Sequence, residues 1–150
     1  MNYVLTDGSN PEFFGLCKLL DCFLNQIAGG EENRSQYIPY NTLDDINDVI
    51  LAYKNDEAVG CAGIKHYSNE AAEVKRVFVK EQYRGNGISK QLMKQLEIRA
   101  REKGYSNLIL ESGEPLIAAM GLYRSIGFKI IENFGQYKCM PESICMEKVL

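Results

Sequence analysis

The residue types best suited to chemistry meet at one junction of the chain. Glu73-Val74-Lys75-Arg76-Val77-Phe78-Val79 reads as a strand, Gln82-Tyr83-Arg84-Gly85-Asn86-Gly87 interrupts it, and a helical period begins at Ile88. A helix N-terminus carries unpaired N–H groups and a partial positive charge. Glycines just ahead of it let the backbone approach an anion closely, because they have no Cβ. Residues 82–89 therefore read as a cradle for a pyrophosphate, with Arg84 adding charge and the Ser89 hydroxyl a further donor. The spacing is not that of G-x-x-x-x-G-K-[ST], and a dinucleotide fingerprint would need a third glycine where Lys90 stands. By itself, Gly85-x-Gly87 fits equally well a turn that only starts a helix.

Charge agrees with a small anionic ligand. The net charge is -3, which argues against a nucleic-acid partner. Residues 1–73 hold 12 acids and 4 bases, residues 74–103 hold 3 acids and 9 bases, and the remainder is nearly balanced. A short basic block in an acidic chain suits a phosphorylated cofactor better than a long duplex. The five cysteines, Cys17, Cys22, Cys61, Cys139 and Cys145, form no C-x-x-C pair and read as reduced thiols. No metal is expected, since the only histidine is His66 and the cysteines lack ligand spacing. No apolar run approaches the roughly 18 residues of a membrane span. The first residues lack the basic and apolar regions of a secretory signal, so no membrane partner and a cytoplasmic location are expected.

The elements that must position this junction follow from pattern. A chain of 150 residues, 45% hydrophobic and 25% charged, is expected to form one domain, 1–150. Residues 3–6 read as a short strand. Asn10-Pro11 is an N-cap followed by proline at the first helical position, and Gly29-Gly30 ends that helix. Phe13, Leu16, Cys17, Leu20, Phe23, Leu24 and Ile27 recur at helical spacing as its buried face. Residues 31–45, with Tyr37, Pro39 and Tyr40, read as a loop with at most a helical turn. Strands over 48–54, 58–67 and 73–79 are joined by turns too short for crossovers, so they form an antiparallel meander. A helix then runs from Ile88 to about Lys103, a fifth strand covers 107–111, Pro115 opens another helix that ends at Gly127, and two strands close the chain. The order implies an α/β fold, a mixed sheet flanked by helices.

The strand and glycine turn at 73–88 resemble motif A of the GNAT acetyltransferase superfamily, whose signature is Q/R-x-x-G-x-G/A after a strand ending in valine. Downstream, Leu108-Ile109-Leu110-Glu111 and Ala119-Met120-Gly121-Leu122-Tyr123-Arg124-Ser125-Ile126-Gly127-Phe128 are similar to the fifth strand of that family and its A-x-x-L-Y-x-x-x-G-F helix. Phe134-Gly135-Gln136-Tyr137 and the residues after Pro141 are similar to the ending of one bacterial branch of small GNAT enzymes. The likeness covers residues 73–150 well and the first half only in element order.

The resemblance implies a central sheet of about six or seven strands with about four helices, splayed between strands 4 and 5. It implies acetyl-CoA as co-substrate. Backbone groups of Val77, Phe78 and Val79 would pair with the pantetheine arm, and the amides around Gln82, Arg84, Gly85, Asn86, Gly87, Ile88 and Ser89 would hold the pyrophosphate. An N–H of this strand, assigned at this stage to Val79, would act as oxyanion donor. Tyr123 would face the sulfur as general acid; without the resemblance, its helical spacing would read as core. A tyrosine near pKa 10 facing a thiol near about 8.5 works chiefly by hydrogen-bonding the thiolate. Glu73 would be the base for the acceptor amine, with Glu111 second. Leu116 stands where the family often has asparagine or glutamine, so no role passes to it.

The implied reaction is direct acetyl transfer to a primary amine of a small molecule or peptide. The alternative is a GNAT-like module that binds CoA without catalysis. The first helix, residues 31–45 and residues 134–141 are expected to contact the acceptor. The acidic first half favours a cationic acceptor such as an amino acid, polyamine or aminoglycoside. The resemblance leaves a homodimer open.

Overall fold

The computed structural model describes residues 1–38, 42–43 and 45–150; Pro39 and Tyr40, read above as loop, lie outside the described residues. The strands are β1 (Asn2–Thr6), β2 (Asp48–Lys54), β3 (Glu57–His66), β4 (Ala71–Val79), β5 (Asn107–Ser112), β6 (Lys129–Ile131) and β7 (Ile144–Val149). The helices are α1 (Pro11–Ala28), α2 (Ile88–Glu102) and α3 (Ile117–Ser125). Three α-helices are therefore described where about four were expected, and the expected turn after α1 is a 3-10 turn over Glu31–Arg34.

Local chemistry explains the helix ends. The Asn10 Oδ1 accepts from the amides of Glu12 at 2.8 Å and Phe13 at 3.3 Å, which satisfies two donors of the first turn of α1. The helix expected to open at Pro115 starts later, at Ile117, because the Leu116 amide turns back to the Gly113 carbonyl at 3.0 Å.

The seven strands form one sheet in the order β1-β2-β3-β4-β5-β7-β6. The meander β1-β2-β3-β4 is antiparallel, as the short turns required, and α2 supplies the crossover that the parallel pair β4-β5 needs. Side chains alternate along β2, so Ile50 and Ala52 join the core under α2 and α3 while Val49 and Leu51 join the core under α1. Leu92, Met93 and Leu96 of α2 are fully buried on the first of these faces, each stabilising by about 1.5–3 kcal/mol through burial. On α1 the apolar stripe divides. Phe13, Leu16, Cys17 and Leu20 are buried, whereas Phe23 and Leu24 are only partly buried and Ile27 is exposed.

Two irregularities position the site. First, β4 and β5 pair only from Ala71–Asn107 to Glu73–Ile109, after which they separate. Second, β4 carries a bulge: Cys61 pairs with Phe78 and Gly63 with Lys75, so Arg76 and Val77 stand opposite the single residue Ala62. Arg76 has φ 60°, a left-handed conformation that costs a non-glycine residue about 1–3 kcal/mol. Its guanidinium is tied to Asp21 of α1 at 2.8 Å, and its carbonyl accepts from the Cys61 thiol at 3.3 Å.

Asp48 fastens α2 to the sheet. It is buried, and Arg99 Nε at 2.7 Å and Lys103 Nζ both donate to it. Burial pushes its pKa up, but the hydrogen bonds from Lys103 and Arg99 outweigh that and hold it below the usual aspartate value. A depressed carboxylate stabilises the fold above its unfolded pKa of about 3.9, and that contribution is lost as pH falls through the lower folded value. Both cations are about one-third exposed, which screens the pair. Asp48→Asn is expected to cost about 1–2 kcal/mol at pH 7 and to lower the melting temperature by about 2–6 °C. Thermal melts followed by circular dichroism should show the gap to the parent protein closing below about pH 4.

Candidate active site

The wedge between β4 and β5 opens into two adjoining cavities. One, of about 600 Å³, runs past Val77, Phe78 and Val79 to Arg84, Gly85, Gly87, Ile88, Ser89 and Lys90. The other, of about 560 Å³, lies between α1 and the strands and includes Glu73, Lys75, Arg76, Val77, Glu111 and Tyr137 in its lining. Val77, Leu116, Ala119 and Tyr123 border both, as do Leu20, Phe23 and Ile27 of α1. The part of the α1 stripe that is not buried is thus cavity wall.

The first cavity gathers most of the residues assigned to the anion cradle. Gly85 and Gly87 have φ 82° and 77°, and a Cβ built on either would meet nothing within 4 Å. Backbone conformation, not crowding, is what demands glycine there, and the open space beyond them leaves the backbone approachable. Arg84 does more than add charge: its Nε donates to the Val79 carbonyl at 2.9 Å and its guanidinium lies over the Phe23 ring at 4.7 Å. Asn86 turns back, its Nδ2 donating to the Tyr83 carbonyl at 3.0 Å, so its side chain closes the turn. Gln82 lies outside this cavity and lines a neighbouring one with Lys80 and Arg84. Leu116 gives an apolar contact, consistent with its lack of a donor.

Strand geometry sets which amides of β4 face the gap. The Lys80 amide donates to the Val59 carbonyl on β3 at 2.9 Å, so alternation turns Val79 toward the wedge, while the bulge takes Val77 out of the regular register with β3. Val77 is the one of these two at the meeting point of the cavities.

Tyr123 also stands at that meeting point. It is 7% exposed, its ring packs edge-on to Phe128 with centroids 5.8 Å apart, and among the described residues its hydroxyl makes no hydrogen bond. Burial, and then the nearby Glu111 carboxylate, push its pKa well above that of free tyrosine.

The floor of the second cavity holds two carboxylates. Glu73 is buried, accepts from Tyr137 Oη at 3.4 Å and lies 3.8 Å from Lys75 Nζ. Burial raises its pKa, while Lys75, Lys65 and the Tyr137 hydrogen bond oppose the rise. Burial also lowers the pKa of Lys75, which the Glu73 charge opposes. Glu111 on β5 is pushed up to about 7, mainly by burial, against the Ser143 hydrogen bond and the Lys75 charge. Ser143 lies 3.0 Å from the Tyr37 hydroxyl. Sequence reasoning placed Glu73, Glu111 and Tyr123 as candidates, and the structure brings all three to this cavity. It singled out neither Arg34 nor Tyr137, although both lie in the segments 31–45 and 134–141 expected to contact the acceptor, because their approach to the carboxylates depends on the fold.

The comparisons with known proteins agree with this geometry. Residues 16–128 match the acetyltransferase (GNAT) family model. The chain is 34% identical over 136 residues to the IAA acetyltransferase of Azospirillum brasilense, covering 90% of this chain and 88% of that one. It is 33% identical over 104 residues to an uncharacterized N-acetyltransferase of Bacillus subtilis, covering 66% and 67% of the two chains. Among solved structures, a chain described as a candidate acyl-CoA N-acyltransferase from Klebsiella pneumoniae superposes with TM-score 0.79 at 29% identity, covering 99% and 97% of the two chains. A GNAT family acetyltransferase from Elizabethkingia anophelis with acetyl-CoA bound superposes with TM-score 0.61 at 26% identity, covering 81% and 84%. A wedge between two parallel strands, a glycine-led helix at its mouth and a buried tyrosine where its cavities meet thus occur in a chain that belongs to the GNAT acetyltransferase family.

Proposed function

We propose that the protein is an acetyl-CoA-dependent N-acetyltransferase that transfers the acetyl group directly to a primary amine of a small molecule. The observation that carries this reading is the position of Tyr123, whose free hydroxyl sits where a cradle for a phosphorylated thioester meets a second, carboxylate-floored cavity. The amides from Gly85 to Ser89 would take the pyrophosphate and the open edge of β4 the pantetheine arm. The two cavities then separate donor from acceptor, so that transfer needs no covalent enzyme intermediate.

The chemistry runs through four groups. The acceptor ammonium gives a proton to Glu111, directly or through one water, and the freed amine nitrogen attacks the thioester carbonyl. The Val77 amide donates to the oxygen that becomes negative. This replaces Val79 as oxyanion donor, because Val79 lines only the donor cavity whereas Val77 lines both. Collapse of the tetrahedral species breaks the C–S bond, the Tyr123 hydroxyl hydrogen-bonds the departing thiolate, and the second proton lost by the nitrogen neutralises that thiolate as the free thiol. Glu111 is preferred to Glu73 as base because a pKa of about 7 lets it be ionised and still accept a proton, whereas Glu73 is held by Tyr137 beside Lys75. Glu73 then acts on the rate through its charge, which raises the pKa of Glu111.

Three variants and the pH profile of the parent protein test these roles. Tyr123→Phe is expected to lower kcat by about tenfold or more, with acetyl-CoA affinity by calorimetry nearly unchanged; retention of full kcat removes its role. Because the base must be ionised, kcat/KM in the parent protein should rise with pH and level off above about 7. Glu111→Gln should abolish that limb and lower kcat by about a hundredfold or more. Glu73→Gln should keep the limb but move it to lower pH, since a negative neighbour is lost. Acetyl-CoA binding without thiol release over a broad amine panel would instead indicate a CoA-binding module without catalysis.

A further inference from the structure

Arg34 is a buried cation in the wall of the acceptor cavity that the transfer chemistry does not use. Its side chain is 10% exposed. The 3-10 turn after α1 holds it against that helix, where Nη1 donates to Asn25 Oδ1 at 2.5 Å and to the Asp21 carbonyl at 3.4 Å. Its Nη2 comes no closer than 3.8 Å to the Asp21 carboxylate, and among the described residues Nη2 and Nε make no hydrogen bond. Asp21 is 43% exposed and also serves Arg76, whose Nη1 donates to it at 2.8 Å. A guanidinium stays charged at any physiological pH, and a buried one is costly unless its donors are met. Arg34 lines the acceptor cavity, which offers its remaining donors a place for a ligand.

We infer that Arg34 grips a carboxylate of the acceptor, so that the amine substrate is an amino acid, or a similar amino carboxylate, with an apolar body. This rests on the transferase reading above and narrows it. The cavity has two poles on different elements: guanidinium on the side of α1, carboxylates on the floor formed by β4 and β5. A zwitterion matches both, with its amino group toward Glu111 and its carboxylate toward the planar fork of Arg34. Leu20, Phe23, Leu24 and Ile27 also line the cavity and suit an apolar side chain. A polyamine or aminoglycoside, which the acidic first half of the chain suggested, would bring several positive charges into a cavity whose carboxylates Glu73, Glu111 and Glu142 are already matched by Arg34, Arg76 and Lys75. Surface charge and cavity charge differ here, and the cavity meets the substrate.

The test is a thiol-release assay with acetyl-CoA over matched series: leucine, phenylalanine and tryptophan, their carboxamides, the corresponding amines without a carboxyl group, and spermidine. The free acids are expected to exceed their carboxamides in kcat/KM by about tenfold or more, as for a charge-assisted pair compared with a neutral one. In Arg34→Gln the acid-to-amide ratio should fall toward one, mainly through KM of the acid, and Arg34→Lys should fall between. Circular dichroism melts and acetyl-CoA calorimetry establish that each variant is folded. Amides, simple amines or spermidine used as well as the acids by the parent protein would overturn the inference while leaving the transferase reading intact. So would an unaltered ratio in folded Arg34→Gln. No thiol release from any amine overturns both.

Discussion

The site depends on one backbone distortion, the bulge at Arg76. The β4–β5 ladder ends at Glu73–Ile109, and a few residues further on the extra residue of the bulge takes Val77 out of regular pairing with β3, within the edge of β4 that β5 no longer covers. The left-handed Arg76 is unfavourable in isolation, so its surroundings must hold it. They do so from both sides: the Cys61 thiol bonds its carbonyl from β3, and Asp21 bonds its guanidinium from α1. α1 thus fixes the bulge, and the same helix provides Phe23 and Ile27 to both cavities. Strain in the strand, position of the helix and width of the wedge are a single arrangement.

Desolvation is the second constraint. Glu73 and Lys75 are buried and Glu111 is half-buried on the same floor, so each charge acts on the others through a medium poorer in water than the surface. Burial moves both carboxylates upward and Lys75 downward, and their mutual attraction limits the shifts. Glu111 is set apart from Glu73 by its partners. A serine hydrogen bond and the more distant Lys75 charge do not offset its burial, whereas Glu73 has the nearer ammonium and the Tyr137 hydroxyl. Similar side chains on neighbouring strands thereby acquire different proton affinities without any difference in their intrinsic chemistry.

Legibility in the sequence followed the range of the physics involved. Asn10-Pro11, the alternation in β2 and the glycine pair at 85 and 87 are decided within a few residues, and each was readable as such. The short pairing of β4 with β5 was implied by the family motif and not by the residues, because splaying is a property of two strands about 35 residues apart in sequence. The bulge left no signal at all, since arginine is not a residue that composition associates with positive φ. The stripe of α1 was read as wholly buried because periodicity identifies an apolar face but not whether the face meets core or cavity. Arg34 escaped notice for a related reason: its meaning comes from Asp21, Asn25 and the cavity, none of which an adjacent motif announces.

Tyr123 and Glu111 show how the cavity keeps two proton sites from competing. Burial raises both, but from starting points far apart, so the phenol ends well above its free value while the carboxylate reaches only about 7. The phenol therefore keeps its proton at every pH at which Glu111 can act as base, and the two groups never exchange roles. A phenol raised so far cannot yield its proton outright to a thiolate whose conjugate acid lies near about 8.5. What it can do is present an O–H in place, in a site of low dielectric where that hydrogen bond strengthens as charge gathers on sulfur. The Glu111 charge that contributes to the high pKa of Tyr123 is neutralised as the carboxylate takes the proton of the amine, so the phenol becomes a better donor at the stage when sulfur leaves. Proton uptake at one end of the cavity and thiolate departure at the other are in this way coupled electrostatically, through groups that do not touch.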